Sequence, residues 1–430
     1  MNKVVPANWS PVHFEEIFTQ ISTSGKKVKT AEALAKGMFP VVDQGQAFVS
    51  GYLDDARLVV SDEKPLIIFG DHTREIKWID FAFIPGADGV KILKPNSEMN
   101  GRFLYFFLRN LPIESKGYAR HFKVLRDAEY WVLPLAEQTR IAQKLDELLT
   151  QVDTLEARID AIPALLKRFR QSVLAAAVSG RLTEDWRAAS DIGEPRTTWQ
   201  DTKLSELCAL VTSGSRGWAD YYSDSGAIFI RSQDINTDDL DITDTAFVKL
   251  PESSEGKRTR VQAQDILITI TGANVGKVAR VKQALPESYV SQHVALVRLQ
   301  SSEYAPFIEF YLKDIGSGRG ELTELAYGGG KPGLNLSNIR DLVFALPSRD
   351  EQTEIVRRVE QLFAFADQLE AKVSSAKSRI DHLTQSILAK AFRGELVPQD
   401  PNDEPASVLL ERIQAQRAST PKARRGRKSA

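Results

Sequence analysis

Two long stretches of the chain carry an apolar residue at alternating steps of four and three. In the first they are Ile141, Leu145, Leu148, Val152, Leu155, Ile159, Ile162, Leu166, Phe169 and Val173. In the second they are Ile355, Val359, Leu362, Ala366, Leu369, Val373, Ala376, Ile380, Leu383 and Ile387. An apolar position every 3.5 residues is the heptad pattern of a coiled coil. The spacing predicts long helices over 136–182 and 348–396. Leu133-Pro134 and Leu346-Pro347 precede them, and Gly180 and Gly394 follow the seams. Proline suits a helix start because it lacks the amide donor, and glycine suits the left-handed residue after a helix end. About 40 residues at ~1.5 Å each give rods of roughly 60 Å. Pro163 predicts a kink or interruption in the first rod. Each rod has one apolar stripe to bury, and the simplest cover is the other rod.

The two stretches are copies of one another. Adding 214 to any number from Glu137 to Leu182 gives its partner between Glu351 and Leu396, with 16 identities over 46 residues and no gap. The identities concentrate at the ends, in Glu-Gln-Thr (Glu137, Glu351) and in Gln-Ser-x-Leu-Ala-x-Ala-x-x-Gly-x-Leu (Gln171 to Leu182, Gln385 to Leu396). The segments before each rod echo one another more weakly, in the same order. Trp9 parallels Trp199, Pro65–Gly70 parallels Asp265–Gly272, Val90–Leu93 parallels Val294–Val297, and Phe103–Arg109 parallels Phe307–Lys313. These segments read as short strands and one short helix, separated by polar loops with glycine. The expected fold class is α+β: two globular mixed α/β domains (1–135 and 198–347), separated by two long helices packed as an antiparallel coiled coil, in an internal pseudo-two-fold repeat. Residues 183–197 read as a linker, and 397–430 as a short helix near 405–417 followed by a basic, disordered tail. One such chain mimics a homodimer. A two-fold protein on DNA reads two inverted half-sites at a fixed separation. The loops of the two domains differ, so their half-sites should differ.

Composition narrows the class without naming a partner. The 430 residues are 26% charged and 42% hydrophobic, as in ordinary globular proteins. No apolar run approaches a bilayer span and no export signal is evident, so the cytoplasm is the expected compartment. Cys208 is the only cysteine, which excludes an intrachain disulfide and a multi-cysteine metal site. The net charge of −1 does not mark a nucleic-acid binder. It is uneven, however: residues 416–430 hold Arg417, Lys422, Arg424, Arg425, Arg427 and Lys428 and no acid. Any DNA surface must therefore be a local patch.

Catalytic signatures are missing. The phosphate-loop lookalike Gly272-Ala273-Asn274-Val275-Gly276-Lys277-Val278 has three residues between its glycines where four are needed. It also has Val278 where Ser or Thr should hold magnesium, and strand-like flanks, so it predicts a hairpin turn. No His/Cys cluster, dinucleotide fingerprint or amino-methyltransferase tetrapeptide occurs. Gly328–Gly333 reads as a flexible loop; its Lys331 could meet a phosphate, but the pattern is no nucleotide site.

At the two Leu-Pro…Glu-Gln helices the sequence resembles the specificity subunits of type I restriction–modification enzymes. The resemblance is carried by Leu133–Gln138 with Lys167–Leu174, and by Glu351–Val356 with Leu383–Leu396. It implies that the globular domains are target recognition domains, each reading one half of a bipartite double-stranded DNA site. The helix pair would then be the ruler between the halves and the dock for two methyltransferase subunits. Those subunits would carry S-adenosylmethionine and methylate adenine. Restriction subunits would add ATP-driven translocation and cleavage with magnesium. No cofactor, metal or catalytic residue is expected in this chain. The alternatives are a DNA-binding subunit of another restriction–modification type, and a coiled-coil protein scaffold without DNA binding.

Base-contact candidates follow from chemistry, since Asn and Gln pair with adenine and Arg and Lys with guanine. In the first domain they are Lys26, Lys27, Lys29, Gln44, His72, Arg74, Arg120, His121 and Lys123. In the second they are Arg216, Trp218, Arg231, Gln233, Asn274, Lys277, Gln292, His293, Lys331 and Asn335. Trp9 and Trp199 are expected to be packing residues, and His293 has a core position as its alternative.

Overall fold

The computed structural model describes residues 6–86, 89–115, 117, 119–251, 258–327 and 332–419. The basic run from Lys422 to Lys428, Lys116 and the loop residues 328–331 lie outside the described residues. The chain divides into two compact units, Met1–Ile159 with Ser375–Ala430, and Asp160–Ser374. Both predicted rods form, as helices Leu135–Val178 and Arg349–Ala391, and each runs from one unit into the other.

The first unit holds strands β1 (Ser10–Val12), β2 (Phe18–Ile21), β3 (Phe39–Val42), β4 (Gly51–Leu53), β5 (Leu66–Gly70), β6 (Ile76–Ile79), β7 (Ile84–Pro85), β8 (Val90–Pro95) and β9 (Tyr130–Val132). They make an antiparallel sheet in the order β2-β8-β5-β6, a small sheet β4-β3-β7 and a two-stranded ribbon β1-β9. The period of two in β5 decides the layers. Leu66 and Ile68 point to a core shared with Val42, Phe83 and Ile92, toward the small sheet. Ile67 and Phe69 point to the opposite core. That core is filled by the helix Gly101–Asn110 and by Ile141, Leu145 and Leu149 at the start of the first rod. Leu388 and Ala391, at the end of the second rod, enter the same core.

The second unit repeats this plan with β10 (Gln200–Lys203), β11 (Cys208–Ser213), β12 (Tyr222–Ser223), β13 (Ala227–Ile230), β14 (Ala246–Val248), β15 (Ile266–Thr269), β16 (Val278–Arg280), β17 (Ser288–Val290), β18 (Val294–Leu299) and β19 (Val343–Leu346). Its main sheet runs β11-β18-β15-β16, its small sheet β12-β14-β13-β17, and its ribbon β10-β19. In both small sheets one pairing is parallel, β3 with β7 and β13 with β17. Ile266 and Ile268 face the helix Ala305–Lys313 and the rods, while Leu267 and Leu296 face Ile228 and Ile230. Here Val173, Leu174 and Ala177 at the end of the first rod share a core with Ile355 and Val359 at the start of the second. Start thus meets end within each unit, which makes the helix pair antiparallel.

Identity at the repeat ends has a physical cause. Each unit joins the Glu-Gln-Thr start of one rod to the glycine finish of the other. In the first unit, Glu137 accepts from the Trp9 indole (3.2 Å) and Asn8 (3.3 Å). In the second, Glu351 accepts from the Trp199 indole (2.8 Å), Thr183 (2.8 Å) and Arg187 (2.5 Å). Gln138 and Gln352 donate to the carbonyls of Leu133 and Pro347, each at 2.8 Å, and so fasten the helix starts. Gly394 and Gly180 both have φ near the left-handed value, +76 and +77, and lie against Pro6 and Pro195.

Three expectations need correction. The first rod is not interrupted: it runs helically through Pro163, which is exposed. Pro163 supplies no amide to the Ile159 carbonyl, so that one helical hydrogen bond is lost without ending the helix. Leu155 is 48% exposed and is not a buried seam position. The buried stripe of the first unit is Ile141, Ala142, Leu145, Leu149 and Val152, close to the 3.6 period of a straight helix, and Leu148 and Ile159 are half-buried. No residue of 153–161 is fully buried; Glu156 and Ile159 are half-buried and the others exposed. Ile355 and Val359 are buried, whereas Leu362, Leu369 and Val373 are half-buried. Finally, the polar stretch 183–197 contains helices Glu184–Ala189 and Pro195–Thr198 and is held by the buried Arg187–Glu351 pair, so it is not a slack linker.

The C-terminal helix spans Ala406–Ser419 and buries Ala406, Leu409 and Ile413 in the core of the first unit. Arg140 anchors the preceding turn through Asp403 at 2.7 Å.

Candidate nucleic-acid interface

In each unit the polar loops gather at one edge of the main sheet. The reason is topological: β2, β3, β5 and β7 all end there and β8 begins there, as do β11, β13, β15 and β17 with β18.

At the edge of the first unit, His72 N donates to Gln44 Oε1 (3.1 Å) and the Thr73 hydroxyl to the Gln44 carbonyl (2.6 Å). Gly89 packs directly on the Gln44 amide, where a Cβ would lie 2.4 Å from Oε1. Lys26 donates to the Val59 carbonyl (2.7 Å) and Arg74, at φ 66, to the Ile113 carbonyl (3.0 Å). Lys27, Lys29, Arg120 and Lys123 are exposed. His121 is a correction: it is fully buried, its amide and Nδ1 both meeting the Asp71 carbonyl (2.8 and 3.0 Å), and it serves the core.

Two buried groups shape this edge and were not singled out from the sequence. Asp71 accepts from Phe122 N (2.7 Å) and so ties the 119–126 segment to the end of β5. Lys77 is 4% exposed and donates to the carbonyls of Asp43 (2.9 Å) and Ala47 (2.6 Å), bracing the Gln44 loop. Burial pulls the Lys77 ammonium below the usual lysine range, with Asp43 opposing the shift. The sequence held one signal: Lys77 shares its strand face with the buried Ile79.

At the edge of the second unit, Asn274 donates to the Ser232 carbonyl (3.3 Å), and Lys277 to the carbonyl and the side chain of Asn236. Arg231 is bound to the buried Asp234 (3.1 Å) and to the Asp244 carbonyl (2.9 Å). These three side chains staple one loop to the next. The glycine-flanked turn at 272–276 joins β15 to β16 as a hairpin, as expected. Trp218 is a second correction: it is 6% exposed and stacks on Phe229 at 5.5 Å, inside an aromatic cluster. Arg216, Gln233, Gln292, His293 and Asn335 are exposed. His293 is therefore not a core residue, and Asn335 caps the short helix Leu336–Arg340. Lys331 lies outside the described residues. Among the described residues no group of three or more His, Cys, Asp or Glu is placed to hold a metal.

Residues 196–376 match the family model described as the type I restriction modification DNA specificity domain. The chain is 34% identical over 401 residues to the type I restriction enzyme EcoBI specificity subunit of Escherichia coli, covering 87% of this chain and 83% of that protein. It is 38% identical over 309 residues to the StySPI specificity subunit of Salmonella potsdam, covering 69% of this chain and 65% of that protein. In fold it is similar to the solved HsdS subunit of Thermoanaerobacter tengcongensis, with TM-score 0.53, 18% identity, and 91% and 98% of the two chains covered. A chain solved in a study of type I R-M assembly and conformational transition gives TM-score 0.59 at 16% identity, with 91% and 99% covered. No helix among the described residues is long and apolar enough to cross a membrane. With a repeated recognition fold, two strand-end edges of differing polar side chains, and these relatives, the chain belongs to the specificity subunits of type I restriction–modification enzymes.

Proposed function

We propose that the two domains, residues 1–135 and 198–347, each read one half of a bipartite, asymmetric double-stranded DNA site. The observation that carries this reading is the pair of equivalent sheet edges whose side chains differ, Gln44 and His72 on one and Gln233, Gln292 and His293 on the other. The helices within 136–182 and 348–396 set the gap between the halves and dock two methyltransferase subunits. Residues 183–197 and 397–419 fasten the rod ends to the domains. The adenine chemistry, with S-adenosylmethionine, belongs to those partners, and ATP and magnesium to restriction subunits, in the cytoplasm. On this reading the exposed Lys27, Lys29, Arg120, Lys123 and Arg216 face phosphates, where each cation adds salt-dependent affinity.

The test is to co-express the chain with its methyltransferase partner and map modified adenines over the host genome. The expected result is one bipartite motif with a fixed gap that needs both proteins. Replacing residues 198–347 with the matching segment of a relative should then alter one half only. Methylation without this chain, or a change in both halves after the exchange, overturns the reading.

A further inference from the structure

The edge of the second unit separates side chains that hold loops together from side chains left facing out. Arg231, Asn274 and Lys277 have their hydrogen bonds inside the protein. Gln292 does not. It sits in the short connection from β17 to β18, and its backbone neighbours are fixed on three sides. Ser291 N donates to the Ile230 carbonyl (2.8 Å), Gly214 N to the Ser291 carbonyl (3.2 Å), and Ile270 N to the His293 carbonyl (2.9 Å). Gly214 passes so close that a Cβ there would stand 2.1 Å from the Val290 carbonyl oxygen and 2.7 Å from Gln292 N. A solvent-facing amide on so constrained a backbone is presented in one place.

Its orientation is set as well. Gln292 Nε2 lies 3.2 Å from His293 Nε2, and His293 Nδ1 hydrogen-bonds the Thr271 hydroxyl. When the imidazole accepts at Nε2, its proton is on Nδ1 and is donated to Thr271 Oγ1. The Gln292 amide then spends one N–H on the histidine and keeps one N–H and its carbonyl oxygen facing out. An outward donor beside an outward acceptor matches adenine, which offers N7 as acceptor and N6–H as donor in the major groove. Guanine offers two acceptors there, and its O6 would oppose the Gln292 oxygen.

We infer that Gln292 is the side chain with which the second domain reads an adenine edge, with His293 and Thr271 as its positioning residues. This rests on the half-site reading above. The test uses the chain in complex with its methyltransferase subunits. Wild type and Gln292→Ala are compared by genome-wide motif mapping, and by competition binding of duplexes carrying each base in turn at each position. Gln292→Ala should relax one adenine position in one half-site by about 10- to 100-fold, leaving the other half and the salt dependence of binding unchanged. Gln292→Glu, whose carboxylate only accepts, should shift that position toward cytosine, which presents a donor. Thr271→Val should relax the same position by a smaller factor. An unchanged motif, a guanine at the affected position, or a uniform loss with a shallower salt slope each overturns the inference. Absence of any bipartite motif with the wild-type chain would instead overturn the half-site reading itself.

Discussion

Two carboxylates of equivalent position behave differently because their partners differ. Glu351 is 1% exposed and pairs with Arg187, itself 4% exposed, within a network that includes Thr183 and Trp199. Neutralising it strands a buried guanidinium, so Glu351→Gln should destabilise by about 3–5 kcal/mol in urea unfolding. Glu137 is also fully buried, and among the described residues its donors are the neutral Trp9 and Asn8. Burial raises its carboxyl above the ordinary 4.5, against the hydrogen bonds from Trp9 and Asn8 and the charge of Arg140. A carboxyl raised in the folded state supports folding below pH 4.5, and that support is lost as pH climbs through its folded value. Glu137→Gln should therefore change stability by less than about 1 kcal/mol at neutral pH, because the lost charge was costly to bury. Urea midpoints of wild type should fall relative to the variant as pH rises from about 4 toward 7. Gly214→Ala tests a purely steric constraint. The Val290 carbonyl must move to admit a methyl group, at a cost of roughly 1–3 kcal/mol, which would be measured as a lower urea midpoint.

At the scale of elements, what the sequence disclosed follows how local each cause is. The rods were legible because periodicity of 3.5 to 3.6 over forty residues has few other meanings. Strands β5, β8, β15 and β18 were legible as β-branched runs between glycines, and the helices Gly101–Asn110 and Ala305–Lys313 as aromatic faces. Burial along the rods was not, since it depends on where a globular layer lies alongside: Leu149 is covered and Leu155 is bare although both fit an apolar stripe. The same limit applies to the edges. Trp218 and His121 have the chemistry of base readers, yet tertiary packing puts both in cores. Asp71 and Lys77, which shape the first edge, are polar residues whose burial the fold settles, Lys77 being hinted at only by its place on the strand face of Ile79. The C-terminal helix offers a test of a long-range element. Leu409 and Ile413 are fully buried against the first unit, so replacing both with alanine should cost about 4–10 kcal/mol. The transition belonging to that unit should shift in calorimetry while that of Asp160–Ser374 does not.

For the whole molecule, the repeat is what would let two domains of one plan specify unlike half-sites on the proposed reading. The clasp residues Trp9 with Glu137 and Trp199 with Glu351 are shared, while the loops on the edges are free to differ. On the proposed reading, adaptation of the target is a matter of edge side chains, and adaptation of the gap a matter of rod length. The middle of each rod suits such a change, since no residue of 153–161 or of 371–379 is fully buried. Adding about four residues to each rod is roughly one helical turn, so side chains beyond the insertion return nearly to their former face and the seam is kept. The rise added is about 6 Å, comparable to two base-pair steps of DNA at ~3.4 Å each. The insertion should lengthen the gap between half-sites by one or two base pairs and leave the half-sites themselves unaltered, read by methylation mapping with the partner subunits present. A gap that stays fixed while both half-sites are still recognised would mean that the spacing is set elsewhere in the complex and that the rods serve only as its dock.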